Sequence, residues 1–328
     1  MKKIIAILLA AMLLLSLPAC QPSSQGGDQT DGGQTDGKFV VGICQLTPHD
    51  ALDAATKGFT DALKEELGEE NVEILLEVGG GDTATCSPIV SDFVAKEVDL
   101  IMANATPALQ AAVAATSDIP ILGTSVTEYG VALEIENFNG TVGGNVSGTS
   151  DLAPLDEQAA MVKEWFPDAK NVGLLYCSAE ANSKYQVETV KAELEGLGYT
   201  CELYAFADTN DLSAVTQTAA DESDVIYIPT DNAVAAATGT VDGICRAAKV
   251  PVIAGEEGIC GGCGVATLSI SYYDLGVATG KMAAKILTGE ADIATMEIAY
   301  AEATKKYNAE ICQELGLTPP DGYVAIGE

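Results

Sequence analysis

A short apolar run, closed by polar residues and followed at once by a helix pattern, recurs along this chain and restricts what it can fold into. Its clearest instance is residues 224–232, DVIYIPTDN. Val225-Ile226-Tyr227-Ile228 has the length and the β-branched and aromatic content of a buried parallel strand. Pro229 has no N–H to give and ends the ladder. Thr230, Asp231 and Asn232 follow, and an Ala/Val-rich helix pattern then runs to Lys249, which Asp231 or Asn232 can cap. Polar side chains therefore stand at the carboxyl end of a strand beside a helix N-terminus, where open α/β sheets bind ligands. For Asp231, capping alone and ligand contact both fit the sequence.

Strand patterns of this kind fall at residues 39–44, 72–78, 98–103, 119–123, 171–176, 200–206, 250–254, 265–270 and about 296–300. Helix patterns fall between them, near residues 52–67, 84–96, 106–115, 155–166, 187–197, 212–220, 272–287 and about 305–315. Residues 143–150 read as a strand and a crossover. Successive βα units imply parallel sheets with helices on both faces. Two such series predict an α/β chain of two doubly wound lobes with a hinge and a cleft. The expected lobes are residues 38–151 plus about 272–300, and residues 152–271 plus about 301–328. The turns that would line the cleft supply the candidate ligand residues. They are Gln45, Leu46 and His49; Thr106, expected as a helix N-cap, and Pro107; Ser125 and Thr127; Ser178, Glu180, Asn182 and Ser183; Asp231 and Asn232; Glu256; and Tyr272 and Tyr273.

Composition removes several function classes. The 328 residues carry a formal net charge of −32, which opposes binding to nucleic acid and to anionic lipid. Arg246 is the single arginine, so a bidentate guanidinium site for an anion is not on offer. His49 is the single histidine, which removes most histidine metal sites. It could serve as a base oriented by Asp50 or Asp53, as a ligand hydrogen-bonder, or as a turn residue. No G-x-S-x-G stands in the sequence, and no enzymatic activity, cofactor or metal is expected. Gly79-Gly80-Gly81 lacks the Lys and Ser/Thr of a phosphate loop and reads as a turn. Cys260-Gly261-Gly262-Cys263 reads as a loop. It holds a disulfide or plain thiols, or, in the alternative, a redox or metal site; a second CxxC is missing. Trp165 reads as packing at the lobe junction.

Residues 1–19 have the plan of a signal peptide, with Lys2 and Lys3 before an apolar run too short to span a membrane well. Leu17-Pro18-Ala19-Cys20 resembles the bacterial lipobox, which makes Cys20 the expected lipid-bearing residue; plain secretion is the alternative. Residues 20–37 then form a Gly/Ser/Gln/Asp linker, flexible by composition.

Several stretches together resemble the lipid-anchored ABC-transporter solute-binding proteins of the tryptophan/tyrosine-binding type. They are VGICQLTPHDALDAATKGFTDAL, VDLIMANATPALQAA, YCSAEANS, VIYIPTDNAV, the EEG after PVIAG, and SYYDLGVATGKMAAKILTGE. The resemblance implies a type I periplasmic-binding fold that traps a small ligand, an amino acid by this kinship, and hands it to a permease and its ATPase. It further implies a monomer outside the cytoplasm, lipid-anchored to the bacterial membrane. A sugar or nucleoside is the alternative ligand. Cys44, Cys177 and CGGC depart from the family pattern. For an amino acid, the carboxylate is expected at the Thr106-Pro107 helix start with Ser125 or Ser183, and the ammonium at Asp231 with Glu256. Asn182, Gln45 and Asn232 would orient the ligand, and Tyr272 and Tyr273 could stack on an aromatic ring.

Overall fold

β1 (Phe39–Gln45) has five consecutive buried residues at its carboxyl end, as a strand covered on both faces requires. In the computed structural model, which describes residues 37–327, it lies inside a six-stranded sheet. The expected signal peptide, Cys20 and the linker up to residue 36 lie outside the described residues. The first half continues through α1 (Asp50–Leu67), β2 (Val72–Val78), α2 (Thr83–Ala95), β3 (Leu100–Asn104), α3 (Thr106–Ala115), β4 (Ile121–Val126), the single turn α4 (Tyr129–Ala132) and β5 (Val146–Ser150).

The second half repeats the alternation. It comprises α5 (Leu155–Trp165), β6 (Asn171–Cys177), α6 (Ala181–Gly196), β7 (Thr200–Phe206), α7 (Thr209–Glu222), β8 (Val225–Ile228), α8 (Asn232–Ala235), α9 (Thr238–Ala248), β9 (Val252–Ala254), α10 (Glu257–Cys263) and β10 (Ala266–Ser269). The chain then returns to the first sheet with α11 (Tyr272–Leu287) and β11 (Ala299–Tyr300), and ends on the second with β12 (Thr304–Tyr307), α12 (Ala309–Leu315) and β13 (Val324–Ala325). Strand order is β11-β5-β4-β3-β1-β2 in one sheet and β13-β12-β10-β9-β8-β6-β7 in the other. The chain thus passes between the sheets after β5, after β10 and after β11.

Four local expectations are corrected. The helix pattern running to Lys249 is split into α8 and α9, because Ala237 leaves the helical region at φ −140° and ψ 29°. The run after it, Thr238-Gly239-Thr240, is made of poor helix formers. CGGC is helical rather than a loop: the Glu256 side chain accepts from the Gly258 and Ile259 amides and starts α10. Cys260 and Cys263 are buried free thiols, packed with Ile228, Cys245 and Val252. Lys305 and Lys306 belong to β12 and not to a helix, since β12 pairs antiparallel with β10, and this tertiary pairing overrides helix propensity. Thr106 is the first residue of α3 and not its cap; Ala105 occupies the cap position at φ 97°. Trp165 packs in the core of the second half, edge-on to Tyr323 at 5.2 Å.

α1 and α11 lie against each other with almost no side chain between them. A Cβ on Gly276 would stand 2.0 Å from the Ala55 carbonyl oxygen, and one on Gly58 would stand 2.1 Å from that of Tyr273. Gly276→Ala is expected to destabilise the protein by about 1–3 kcal/mol, as other overpacked cores are. Gly261 has nothing within 4 Å of its missing Cβ, so Gly261→Ala should be neutral or stabilising. Thermal melts of the two variants check the contrast, and equal melting temperatures would remove the close-contact argument.

Candidate ligand site

Three strand ends and two helix starts meet where the sheets face each other. β4 ends at Ser125-Val126, β5 is followed by Asp151, and β8 is followed by Pro229-Thr230-Asp231. α1 begins beside His49 and α11 begins at Tyr272. Together with Leu52, Asn182, Asn232, Ala235 and Glu256 they surround a tight chamber. Its free space is about 10 Å³, close to the room one water needs. The halves touch directly at its wall: His49 Nε2 is 3.3 Å from Asn232 Oδ1, and Thr127 Oγ1 is 3.3 Å from Thr230 Oγ1.

Buried polar atoms are normally hydrogen-bonded, so those lacking a partner mark where the chamber is incomplete. Ser125 Oγ, Asp151 Oδ1 and Asn182 Oδ1 are buried without one. Ser125 also adopts a left-handed backbone, φ 53°, a conformation that costs a non-glycine residue energy and tends to occur at ligand clamps. The amide of Asn182 is oriented by its donors, since Nδ2 faces Glu180 Oε2, the Thr230 carbonyl and Ser183 Oγ. Its oxygen is thereby left for the chamber. Asp151 Oδ2 accepts from the Tyr272 hydroxyl at 2.9 Å. Burial pushes the Asp151 pKa up, against the opposing pull of the Tyr272 hydroxyl.

The other buried acids have already spent their oxygens. Asp231 accepts from Cys177 N at 2.6 Å and from Val234 N at 2.9 Å. Glu180 accepts from Asn182 Nδ2, from Asn232 through both its amide nitrogens, and from Ala233 N. Burial raises both pKa values, and the neighbouring Asp231 adds to the rise at Glu180. Glu256 accepts from two α10 amides, Gly258 N at 2.6 Å and Ile259 N, and burial pushes it up to about 7. His49, at the cleft wall, is lowered by burial. No Lys or Arg lines the chamber; Arg246 is on the surface with Asp242, Glu310 and Glu314.

Of the residues expected at the cleft, His49, Ser125, Asn182, Asp231, Asn232, Glu256 and Tyr272 line the chamber. Thr127 stands at its edge through Thr230. Ser183 and Glu180 support the wall from behind, by way of Asn182 and Asn232. The structure does not bring the rest to it. Gln45 is held inside the first half by Asp53 and Thr56, and Leu46 is wholly buried in the core there. Thr106 and Pro107 are buried in the first turn of α3 and do not line the chamber. Ser178 is turned to the surface, bonded to the Phe206 carbonyl. Tyr273 is 39% exposed and bonds Asp61 on α1. Thr230, one of the polar residues closing the residues 224–232 pattern, also lines the chamber, as do Asp151, Leu52 and Ala235, which carry no such signal as candidates. What the sequence offers for Asp151 is an acid directly after the strand-and-crossover stretch of residues 143–150.

The sequence matches the family of ABC transporter substrate binding proteins over residues 40–325. It is 34% identical over 297 residues to the tyrosine-binding protein of Clostridioides difficile strain R20291, covering 88% of this chain and 85% of that protein. The structure resembles an ABC domain from Streptococcus pneumoniae solved in complex with L-Trp, at TM-score 0.83 and 33% identity, over 88% of this chain and all of that one. A ligand-free, open substrate binding protein with adhesive properties from Clostridium difficile, at 35% identity and with 88% of this chain and 99% of that one covered, superposes less closely, at TM-score 0.66. At nearly equal identity, the chain superposes more closely on the L-Trp complex than on the ligand-free, open structure. The chain belongs to the ABC transporter substrate-binding proteins, with the two-lobed fold of the type I periplasmic binding proteins.

Proposed function

We propose that the protein captures an aromatic α-amino acid between its lobes and presents it to the permease and ATPase of an ABC importer. In this reading it acts as a monomer outside the cytoplasm, tethered by lipid on Cys20. The observation that carries the ligand class is a buried carboxyl, Asp151, with a free oxygen and no Lys or Arg around it. An uncompensated buried charge is costly, and an ammonium supplies the missing cation. Its three N–H donors find Asp151 Oδ1 and Asn182 Oδ1, both without partners. Ser125 Oγ is left to donate to the ligand carboxylate. Asp151 is the better ammonium acceptor than Asp231, whose two oxygens hold the Cys177 and Val234 amides. A sugar or nucleoside would leave Asp151 without a counter-charge. The aromatic side chain follows from kinship with proteins described as tyrosine-binding and as bound to L-Trp.

Asp151→Asn keeps the shape and removes the charge. It should weaken binding of Tyr, Trp or Phe by about 2–5 kcal/mol, the usual cost of removing one partner of a buried charge pair. Titration calorimetry reads this directly, and unchanged affinity would remove Asp151 from the site.

The pH dependence has two opposite signs. Glu256 is held up at about 7, from an ordinary value of 4.5, so between those values the folded protein binds more protons than the unfolded chain. Its stabilising contribution is complete below the lower value and is lost as pH rises through the upper one. That contribution is on the order of 3 kcal/mol, and Glu256→Gln should flatten the slope accordingly. Ligand binding runs the other way, because an ammonium needs the ionised carboxylate of Asp151. Melting temperatures taken across the Glu256 window, with and without tyrosine, should fall for the free protein as pH rises, while the ligand-induced increment should be smaller wherever acid protonates Asp151, whose pKa burial raises. A constant increment would argue against an ammonium–carboxylate contact.

A further inference from the structure

A much larger space adjoins the chamber. A vestibule of about 800 Å³ lies between the start of α1, the α8–α9 turn and α10, and shares His49, Ala235, Glu256 and Tyr272 with the chamber. Pockets of this size enclose drug-sized ligands, so it exceeds what a free amino acid fills. Small residues make its walls: Ala51 and Ala54 on α1, and Gly258, Gly261 and Gly262 on α10. A Cβ at Gly262 would meet Thr238 at 2.3 Å, but one at Gly261 would meet nothing within 4 Å, so at Gly261 the wall is cut back further than packing demands. The charged groups on the lining are Asp50, Glu256, Glu257 and Lys306, and Lys306 is paired with Glu257 at 2.5 Å. The uncompensated charge facing the space is acidic.

The chamber has about 10 Å³ free while the lobes are in contact, too little for an aromatic ring beside an amino-acid head group. The space that remains with the lobes together is the vestibule. We propose that the vestibule is the subsite for the ligand's side chain, and that the protein accepts aryl α-amino acids carrying a neutral or cationic extension beyond the ring while refusing anionic ones. This deepens the amino-acid reading and rests on it. The head group is held by Asp151, Asn182 and Ser125. The ring passes between His49 and Tyr272, and the extension lies along Ala54 and Gly261 toward Glu257 and Lys306. Bulk at the far end meets glycine and alanine instead of a closed wall. Negative charge there meets the unpaired Asp50 and a lining whose one cation, Lys306, is already held by Glu257, an electrostatic penalty that discriminates between ligands of equal shape.

The test is calorimetric titration of the purified full chain with L-tyrosine, O-benzyl-L-tyrosine, 4-aminomethyl-L-phenylalanine and O-phospho-L-tyrosine. The first three should bind within about tenfold of one another, and the phosphorylated one at least about a hundredfold more weakly. Ala54→Trp and Gly261→Phe fill the vestibule from opposite walls. Each should lower the affinity for O-benzyl-L-tyrosine relative to L-tyrosine by about tenfold or more. Melting curves establish that the variants are folded, and the ligand series on the unaltered protein decides the matter without them. Tyrosine bound with O-benzyl-L-tyrosine excluded, phosphotyrosine bound as well as tyrosine, or both ligands weakened equally by the two substitutions would each overturn the side-chain subsite while leaving the amino-acid reading intact. Failure of tyrosine and of every other amino acid to bind would overturn the amino-acid reading and the subsite with it.

Discussion

Backbone contact between α1 and α11 fixes the geometry on which the cleft depends. Two helices normally keep their axes apart by the thickness of their side chains. Here Gly58 and Gly276 let carbonyl oxygens of one helix reach the Cα positions of the other, and Gly280 does the same against Phe59. Both helices begin at the cleft, α1 beside His49 and α11 at Tyr272. The spacing of these residues is therefore set by main chain and not by mobile side chains, the kind of support a binding site needs. α11 is also the segment by which the chain returns from the second sheet to the first. One contact thus fixes a crossing and two walls of the chamber.

Around that frame the protein buries acids and divides their work. Glu180 and Asp231 both receive amides at the start of α8, and Glu256 receives those at the start of α10. Amide donors offset only part of the desolvation that raises these groups, so the acids tie the strand ends to the helix starts at a cost that grows as they ionise. Asp151 receives one tyrosine hydroxyl and keeps an oxygen free. Identity of side chain does not separate these roles; the number of donors already present does. With Arg246 engaged on the surface, the protein offers no guanidinium to the ligand, and recognition of charge rests on carboxyl, amide and hydroxyl groups.

The alternation of buried strand and helix was legible because parallel strands covered on both faces are buried along their whole length and open on apolar runs, as β3, β4 and β8 do. The turn after β8 was legible for the same reason: a proline ends the ladder and the acid after it caps a helix. What sequence could not supply was which way a residue at a strand end points. Gln45 and Ser125 both lie at strand ends, yet Gln45 turns into its own lobe against Thr56, while Ser125 takes a left-handed turn and faces the chamber. That choice is made by neighbouring elements. Asp151 was passed over because the glycine-rich stretch before it has no periodicity, and its place beside Tyr272 comes from a contact 121 residues away in sequence. The β12 strand was read as helix because its pairing partner, β10, lies far from it in the chain.

Closure then follows from charge more than from contact. The direct polar links across the cleft are a His49–Asn232 contact and a Thr127–Thr230 contact, both at 3.3 Å. Among the described residues no salt bridge joins the two lobes. Such links are too long and too few to hold the lobes together against the desolvation of Asp151, Asp231 and Glu256, which all line the same chamber. A ligand shifts a two-state equilibrium only by its differential affinity for the two states. An ammonium that neutralises a buried carboxylate has that differential affinity built in, because the carboxylate is desolvated only when the lobes meet. Weak latches and an uncompensated acid are therefore two parts of one arrangement if, as proposed above, the ligand brings an ammonium group to Asp151.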